Sequence, residues 1–337
     1  MKAIVYEEYG GPDVLKIAEA PKPEPKANEV LVKVHATSVN YGDLLARNIK
    51  NATSANFNMP MFLMPIIRLI FGWSSPKNRI LGSELSGVVE AVGSQVSALA
   101  PGDHVFAHTE MKMGAYAEYA VVAANGLIAK KPANITHAQA AVTPMGALTA
   151  WCILRNVDIE SPATKSRRIL VNGASGSIGG FAVQIAKAYG AHVTGVCGGP
   201  RLEHVKALGA DVALDYAKED FTVHEEKYDV ILDVLGKSSF AKCQGCLTEQ
   251  GVYLLASFRT WPIVQTLWTK LTGGKRVLIA PSSYRQEYLG QISAMIEEGK
   301  LKALADRAFP MEQAAEAHRY AESGQRKGPV AITMVEG

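Results

Sequence analysis

A glycine-rich turn joins a buried strand to a long helix, with a spacing suited to binding phosphate. Arg168-Ile-Leu-Val-Asn172 predicts the strand, and Ala174-Ser-Gly-Ser-Ile-Gly179 follows it closely. Alanine takes the first place of the pattern G-x-G-x-x-G, Gly176 lets the backbone approach a diphosphate, and Gly179 permits close helix–strand packing. The turn predicts a dinucleotide site at the positive end of the helix, with a ligand-free tight turn as the alternative. Its predicted contacts are Ser175, Gly176, Ser177, Ile178 and Gly179.

The end of the second strand bears on which dinucleotide binds. An Asp or Glu about 20 residues after the turn would bind a ribose 2′-hydroxyl. Here the strand ends at Cys197 and continues as Gly198-Gly-Pro-Arg201, with no carboxylate to repel a 2′-phosphate. Arg201 can pair with that phosphate, so the sequence favours NADPH over NADH. The alternative is an exposed arginine in the first turn of the next helix.

Regular elements must position these residues, and the sequence changes character along its 337 residues. Up to about Val122, short β-prone runs set off by Gly and Pro predict an irregular, mostly antiparallel β domain. From about Arg167, apolar strands alternate with helical patterns. This alternation predicts a doubly wound parallel sheet, in an α/β fold of about two domains. The predicted strands of that sheet are 168–172, 192–197, 212–215, 228–233, 251–256 and 275–280.

Composition excludes several classes of protein. With 48% hydrophobic residues, 35 Lys+Arg and 32 Asp+Glu, the chain is too apolar for disorder and has no nucleic-acid footprint. Four cysteines do not make a disulfide framework in a chain of this length. Acidic residues follow Met1–Tyr6 before any long apolar run, so we expect a cytoplasmic protein without a signal peptide.

Several segments stand in an order that a known family shares. They are Ser38–Asp43, Leu81–Gly93, Pro101–Val105, Gly173–Gly179 and Leu208–Asp211. Together they resemble the medium-chain dehydrogenase/reductase superfamily, and within it the zinc-free quinone oxidoreductases, the zeta-crystallin-like branch. The resemblance implies a GroES-like irregular β-barrel catalytic domain, residues 1–140 and 300–337, with a Rossmann domain inserted at 141–299. It also implies an active site in the cleft between the domains and a homodimer joined through residues 276–280.

The same resemblance assigns residues to the cofactor, NADPH. Asn40 would lie beside the nicotinamide, Arg201 beside the 2′-phosphate and Tyr216 near the adenosine phosphate. Lys327 would reach the phosphates, with a solvated basic loop as the alternative. Thr143 would contact the nicotinamide, with a purely structural role as the alternative. Residues at the carboxyl ends of strands would border the cofactor. These are Gly198, Leu235, Gly236, Ala256, Ser257 and Phe258.

The residues at the zinc-ligand positions of the superfamily bear on the chemistry. They are Asn40, Ser83 and Pro144, none of which is a good zinc ligand. The pair Cys243 and Cys246 has no partner pair, so helix packing is favoured over metal or redox use. We therefore expect no metal. Without a metal, conjugated acceptors are favoured. Hydride addition to them leaves a phenolate-like anion whose conjugate acid has a pKa of ~10, so its protonation needs little help from an acid.

These observations predict a zinc-independent, NADPH-dependent oxidoreductase that reduces quinones, other conjugated carbonyls or activated alkenes by hydride transfer. Tyr41 is the candidate proton donor to the substrate oxygen, beside Asn40, with packing along the cleft as the alternative. Two other functions stay open. One is a 2-enoyl-thioester reductase, and the other is a non-catalytic NADPH-binding sensor or scaffold.

An apolar insert, Phe57–Trp73, falls between the predicted cleft residues. Its longest apolar run is shorter than the ~20 residues that cross a bilayer, and Pro60 and Pro65 interrupt it. We expect the insert to form a lid or wall for a small lipophilic acceptor. A buried packing element and a contact with a membrane surface are the alternatives.

Overall fold

The structure, a computed structural model, describes residues 1–53, 57, 60–257, 260–279 and 283–334. In chain order its strands are β1 (Lys2–Val5), β2 (Lys16–Glu19), β3 (Glu29–Val39), β4 (Glu84–Val92), β5 (His104–His108), β6 (Tyr119–Ala123), β7 (Leu127–Lys130), β8 (Arg168–Asn172), β9 (His192–Cys197), β10 (Val212–Asp215), β11 (Tyr228–Asp233), β12 (Leu247–Leu255), β13 (Arg276–Ile279), β14 (Arg307–Pro310) and β15 (Val330–Thr333). Its α-helices are α1 (Tyr41–Arg47), α2 (Met64–Phe71), α3 (His137–Ala141), α4 (Pro144–Arg155), α5 (Ser177–Ala188), α6 (Leu202–Ala207), α7 (Phe240–Cys243), α8 (Thr260–Thr272), α9 (Gln286–Glu297) and α10 (Ala314–Glu322).

The second half of the chain forms a six-stranded parallel sheet in the order β10-β9-β8-β11-β12-β13. The order reverses between β8 and β11, so a crevice opens at the carboxyl ends of these two central strands. Strand β8 is buried on both faces, as its run of Ile169, Leu170 and Val171 predicts. Strand β12 begins earlier than predicted because Leu247 already pairs with Tyr228 of β11. The prediction of a doubly wound parallel sheet is confirmed.

The first part of the chain and its C-terminal return form a second sheet, in the order β14-β15-β3-β4-β5-β7, with β6 also paired to β3. Its central strand β3 buries Val30, Val32 and Val34 completely. The late strand β15 pairs antiparallel with β3, where Val330 lies opposite Val39. The parallel sheet is therefore inserted into a GroES-like domain, as predicted. The boundaries at 1–140, 141–299 and 300–337 stay predictions.

Helix α4 connects the two sheets and packs closely on α5. A Cβ added to Gly146, in the first turn of α4, would lie 2.0 Å from Ser177 Oγ. Trp151, further along α4, is only 2% exposed within the same core. The start of α4 thus abuts the start of α5, directly after the glycine turn.

Helix α1 is fixed at both ends. Asn40 caps it, because its side chain accepts the Asp43 amide at 3.2 Å while the Asp43 carboxylate accepts the Asn40 amide at 3.1 Å. At the other end, Arg47 is 1% exposed and contacts Nδ1 of His318 at 2.8 Å and Glu322 at 2.6 Å. Since His318 and Glu322 lie on α10, α1 is held against the C-terminal helix.

The apolar insert forms helix α2, which buries one side and exposes the other. Its inner residues Met64, Ile67 and Phe71 pack around Ile49 and Phe57. The packing alternative is therefore correct for this side. The outer side is exposed to solvent. In the part of the chain that the structure describes, no helix is long and apolar enough to cross a membrane.

Candidate active site

The glycine turn tightens at Gly173, one residue before the predicted start of the pattern. Gly173 has a φ of +95°, a conformation that residues with side chains rarely adopt. The amides of Gly173 and Ala174 both donate to the Val196 carbonyl at 3.0 Å. The tight-turn role of the first glycine therefore falls to Gly173, while Ala174 is fully buried.

Helix α5 begins with amides that no side chain caps. Gly176 occupies the N-cap position, and the first helical bond runs from the Gly180 amide to the Gly176 carbonyl at 2.7 Å. The amides of Ser177, Ile178 and Gly179 precede that bond. They remain available to an anion at the positive end of the helix.

Gly176 and Gly179 differ in the room around them. A Cβ at Gly179 would lie 2.1 Å from the Gly173 carbonyl oxygen, so this glycine permits the predicted close packing. At Gly176 the nearest atom would be 3.5 Å away, so the space beside it is open. Ser175 is half-buried in the same turn. Open backbone and uncapped amides fit a diphosphate.

A cavity of about 490 Å³ lies at the carboxyl edge of the parallel sheet. Tyr216, which follows β10, and Leu235, which follows β11, line it together with Asn172 at the end of β8. A second cavity of about 300 Å³ shares Leu235 and is also lined by Gly236 and Ser257. The structure thus brings together predicted cofactor residues from three strand ends, and their contact with a cofactor stays a prediction.

Arg201 lies beside Gly198 and Tyr216, two other residues predicted to bind the cofactor. A Cβ at Gly198 would lie 3.4 Å from the Tyr216 hydroxyl and 3.7 Å from Nη1 of Arg201. These three residues therefore meet at the end of β9. Arg201 also donates a hydrogen bond to the Gly324 carbonyl, in the loop before β15.

A second guanidinium, that of Arg326, lies near enough to Arg201 for their charges to interact and was not predicted. Burial and then the charge of Arg201 lower the pKa of Arg326, and Asp306 opposes them. The neighbouring Lys327 has an exposed side chain, and its amide donates to Asp306 at 2.8 Å. The adjacent cations Arg326 and Lys327 could have indicated a phosphate contact, but the proximity of Arg326 to Arg201 depends on the fold. The phosphate contact of Lys327 stays a prediction.

Asp233, the last residue of β11, organises this edge of the sheet and was also not predicted. It is fully buried, and its carboxylate accepts the amides of Gly236 at 3.0 Å and Ser238 at 2.9 Å. The Tyr253 hydroxyl at 2.7 Å and Nδ2 of Asn172 at 3.1 Å donate to the same group. Asp233 therefore fixes the loop after β11. The feature of the sequence that could have identified Asp233 is a carboxylate at the end of an apolar strand.

Asn40 is held at the end of β3 by the start of β4. Its Nδ2 donates to Ser83 Oγ at 2.7 Å and to Glu84 Oε2 at 3.1 Å. The Glu84 carboxylate also accepts the Met145 amide at 2.7 Å and the Ser38 hydroxyl. Glu84 is 2% exposed, so a buried carboxylate ties Asn40 to helix α4.

Tyr41 opens helix α1 next to Asn40 and is half-buried. Two residues further on, Asp43 is fully buried, and burial raises its pKa to about 7. The amides of Asn40 and Gly82 donate to the Asp43 carboxylate at 3.1 and 3.0 Å. Asp43 thus holds the turn into α1, whereas the proton-donor role of Tyr41 stays a prediction.

Thr143 and Ala256, two further predicted cofactor contacts, lie at the ends of regular elements. Thr143 precedes α4, is fully buried and donates its hydroxyl to the Gln139 carbonyl at 2.8 Å. Ala256 follows β12 and is half-buried. Their contacts with the cofactor stay predictions, and Phe258 lies outside the described residues.

Comparison with known proteins identifies the family. Residues 26–133 match the alcohol dehydrogenase GroES-like domain, and residues 208–332 match the zinc-binding dehydrogenase model. A mitochondrial NAD(P)H oxidoreductase of Mus musculus is 33% identical over 99% of this chain and 89% of its own. The chain belongs to the medium-chain dehydrogenase/reductase superfamily.

Two further members of this superfamily are similar along the whole chain. The NADPH-dependent alkenal/one oxidoreductase of Arabidopsis thaliana chloroplasts is 34% identical over 98% of this chain and 79% of its own. The structure of the quinone oxidoreductase from Coxiella burnetii superposes with a TM-score of 0.81, at 27% identity, over 99% of each chain. The predicted family and fold are confirmed, and the protein is an NAD(P)H-dependent oxidoreductase of this superfamily.

At the zinc positions of the superfamily, the residues of this oxidoreductase do not fit the metal. Asn40 and Ser83 are bonded to each other, and Pro144 offers no side-chain ligand at the start of α4. The described residues include no group of three or more His, Cys, Asp or Glu that could hold a metal ion. Cys243 and Cys246 are buried in the core beside the parallel sheet. Zinc independence stays a prediction.

Proposed function

We propose that the protein reduces quinones, other conjugated carbonyls or activated alkenes with NADPH, by hydride transfer and without a metal ion. The observations that carry the proposal are the uncapped amides at the start of one helix and two guanidiniums whose charges interact. The amides belong to residues 177–179, and the guanidiniums to Arg201 and Arg326. An NADPH molecule has a diphosphate for the first and a 2′-phosphate for the second.

The residues at the carboxyl edge would bind and orient the cofactor. Tyr216 and Leu235 would enclose the adenosine half, while Gly236 and Ser257 would lie further along the edge. Bound there, NADPH supplies a hydride to the acceptor. Asp233 keeps the loop after β11 in place through its buried hydrogen bonds. This rigidity supports positioning of the reactants, which is the main contribution a protein makes to such a transfer.

The donor set near Asn40 supports a conjugated acceptor. Asn40, Ser83 and Glu84 bind one another and the Met145 amide, and none of them replaces a Lewis acid. Hydride addition to a quinone or enone spreads the negative charge over the conjugated system, so a weak acid suffices. The phenol of Tyr41 would donate that proton to the substrate oxygen. Relatives named alkenal/one oxidoreductase and quinone oxidoreductase act on this class of acceptor.

A homodimer and a cytoplasmic location are part of the proposal. Strand β13 lies at the edge of the parallel sheet, and its Val277 amide already bonds to Thr269 of α8. Leu278 and Ile279 beyond it are only half-buried, so we infer that this end of the strand meets a second copy. Ala280, the end of the predicted pairing segment, lies outside the described residues. Light scattering that gives the mass of a monomer would contradict the dimer.

The test is turnover of NADPH and NADH with a panel of quinones, enones and 2-enoyl thioesters. We expect quinones and enones to be reduced with NADPH, and Arg201→Ala to raise KM for NADPH about tenfold with little effect on NADH. Equal KM values for the two cofactors in the wild type would overturn the NADPH preference. Binding of NADPH without reduction of any acceptor would favour a sensor. Preferential reduction of thioesters would favour the enoyl reductase.

A further inference from the structure

Helix α8 exposes its apolar side and buries a polar one. Leu267, Trp268 and Leu271 are 63, 67 and 84% exposed, whereas Thr269 is only 4% exposed. An ordinary surface helix does the opposite, since its apolar stripe faces the core. The orientation of α8 therefore calls for an explanation beyond the stability of the isolated chain.

The polar side of α8 can face the protein because its hydroxyls are satisfied locally. Thr266 donates to the Pro262 carbonyl at 2.9 Å, and Thr269 donates to the Gln265 carbonyl at 2.9 Å. The Thr269 oxygen in turn accepts the Val277 amide of β13 at 3.1 Å. The inner side of α8 is thus anchored to the sheet edge, and the apolar residues necessarily point outward.

A second exposed apolar side belongs to helix α2. Phe62, just before α2, is 64% exposed, and Leu69 and Trp73 are 68% and 66% exposed. Three of the four tryptophans, Trp73, Trp261 and Trp268, lie on these two surfaces, at 66 to 67% exposure. Exposed apolar sides of this size on one protein indicate contact with an apolar partner.

The two stretches of sequence that carry these helices contain cations but no acids. Residues 44–83 and 250–286 contain no Asp or Glu, although the chain has 32 acidic residues among 337. Among the described residues, the exposed cations are Lys50, Lys77 and Arg79 in the first stretch and Lys270, Arg276 and Arg285 in the second. Arg79 and Arg285 pair with Glu7 and Glu287 outside these stretches, and the other four have no ion pair with a described residue. Tryptophan, aliphatic residues and cations without acids are the composition of helices that lie in the interface of an anionic membrane.

Both helices are anchored next to the predicted cleft. Leu45, one turn after Tyr41 on α1, packs against the cluster that holds α2. Trp261, at the start of α8, lines the same cavity as Leu235 and Ser257. Each of the two helices therefore lies near residues that are predicted to line the cleft.

We propose that α2 and α8 dock the protein on a lipid surface with anionic headgroups. The apolar sides enter the boundary between headgroups and acyl chains, and the flanking cations bind the lipid phosphates. A second copy of the chain is the competing occupant of α8. It does not account for an equivalent surface on α2 or for the absence of acids from both stretches. The inference does not depend on the reaction proposed above.

The test is flotation of the full chain with vesicles of phosphatidylcholine alone or with phosphatidylglycerol. We expect binding to the anionic vesicles that salt weakens, together with quenching of tryptophan fluorescence by brominated acyl chains. Two double variants replace exposed residues, Leu267→Glu with Leu271→Glu on α8, and Ile66→Glu with Leu69→Glu on α2. Each should lower the partition coefficient about tenfold or more.

The matched control is Ile17→Glu with Val223→Glu, two exposed apolar residues outside both helices. It should float like the wild type, and thermal unfolding should show that every variant is folded. Failure of the wild type to float, or equal flotation of the variants, would overturn the proposal. Light scattering supplies the remaining outcome. If the α8 variant dissociates a dimer and the wild type does not bind vesicles, the surface is an interface between copies and the proposal is wrong.

Discussion

The carboxylate of Glu84 accepts the amide of Met145 at 2.7 Å, across 61 residues of sequence. Glu84 opens β4 in the GroES-like sheet, and Met145 lies in the first turn of α4, which abuts the glycine turn. A carboxylate at this position is favourable because the start of a helix is positive. Since Glu84 also accepts Nδ2 of Asn40, one side chain links the predicted nicotinamide contact to the helix beside the diphosphate site.

Glu84→Gln should therefore impair the reaction more than it impairs cofactor binding. Glutamine can still accept the Met145 amide, but its own amide then faces the Ser38 and Asn40 donors, and Asn40 must move. We expect kcat to fall about tenfold with little change in KM for NADPH, and stability to fall by about 1–3 kcal/mol.

Steady-state kinetics and urea unfolding would measure these effects. The control is Glu90→Gln on the same strand, where Glu90 pairs with Lys22 at the surface. It should leave both properties unchanged. Wild-type kcat in Glu84→Gln would show that Asn40 does not need this carboxylate.

The strands of the parallel sheet could be predicted from the sequence because each is a short apolar run bounded by polar or glycine residues. The packing role of Gly179 could be predicted as well, since it follows a fixed spacing, whereas the phosphate contact of Arg201 stays a prediction. The partners of Glu84 and the position of Arg326 could not be predicted. Their contacts join elements that are far apart in sequence, and periodicity within one element carries no information about them.

The outward apolar side of α8 could not be predicted from the sequence for a different reason. The pattern of Trp261, Leu267 and Leu271 is that of an ordinary amphipathic helix, and the usual rule would bury these residues. The threonines on the other side reverse that outcome, because their hydroxyls bond to carbonyls of the same helix. Because these hydroxyls have partners within the helix, the threonine side can face the protein and the apolar side can face outward.

Two alanine substitutions in the glycine turn should separate folding from binding. At Gly179 a Cβ would meet the Gly173 carbonyl oxygen at 2.1 Å, so Gly179→Ala should destabilise the fold by about 2–3 kcal/mol. At Gly176 the nearest atom is 3.5 Å away, so Gly176→Ala should fold normally. It should nevertheless weaken NADPH binding at least about tenfold, because the methyl group occupies the space predicted for the diphosphate. Urea unfolding and calorimetry test the pair, and normal NADPH affinity in Gly176→Ala would contradict the assigned site.

Arg326→Ala should reduce the preference for NADPH. The charge of Arg201 lowers the pKa of Arg326, so the two guanidiniums repel each other when no anion is bound. Loss of one should raise the Kd for NADPH about tenfold and change the Kd for NADH much less. Calorimetric titration with both cofactors measures this. Lys327→Ala is the neighbouring control, and an effect of Lys327→Ala as large as that of Arg326→Ala would show that proximity to Arg201 is not what matters.

The buried His318 should make stability depend on pH. Burial, and then the charge of Arg47, lower its pKa to about 3, from an ordinary value of 6.5. Between these values the unfolded chain binds a proton at this residue and the folded protein does not. The free energy of unfolding therefore falls as the pH falls through this window, by up to ~1.4 kcal/mol per pH unit. The raised pKa of Asp43 acts in the opposite direction below about pH 7.

His318→Gln isolates the contribution of the histidine, because Asp43 is the same in both proteins. Glutamine can accept from Arg47 and bond to the Tyr116 hydroxyl, which lies 2.9 Å from Nε2 of His318, so both neighbours keep a partner. Urea unfolding at pH 7, 6 and 5 should show the wild type losing stability faster than the variant, by up to ~1.4 kcal/mol per unit. His192→Gln, at an exposed position on β9, should keep the wild-type slope. Parallel pH profiles for the wild type and His318→Gln would mean that the histidine takes up its proton equally well in the folded state, against the burial that the structure gives it.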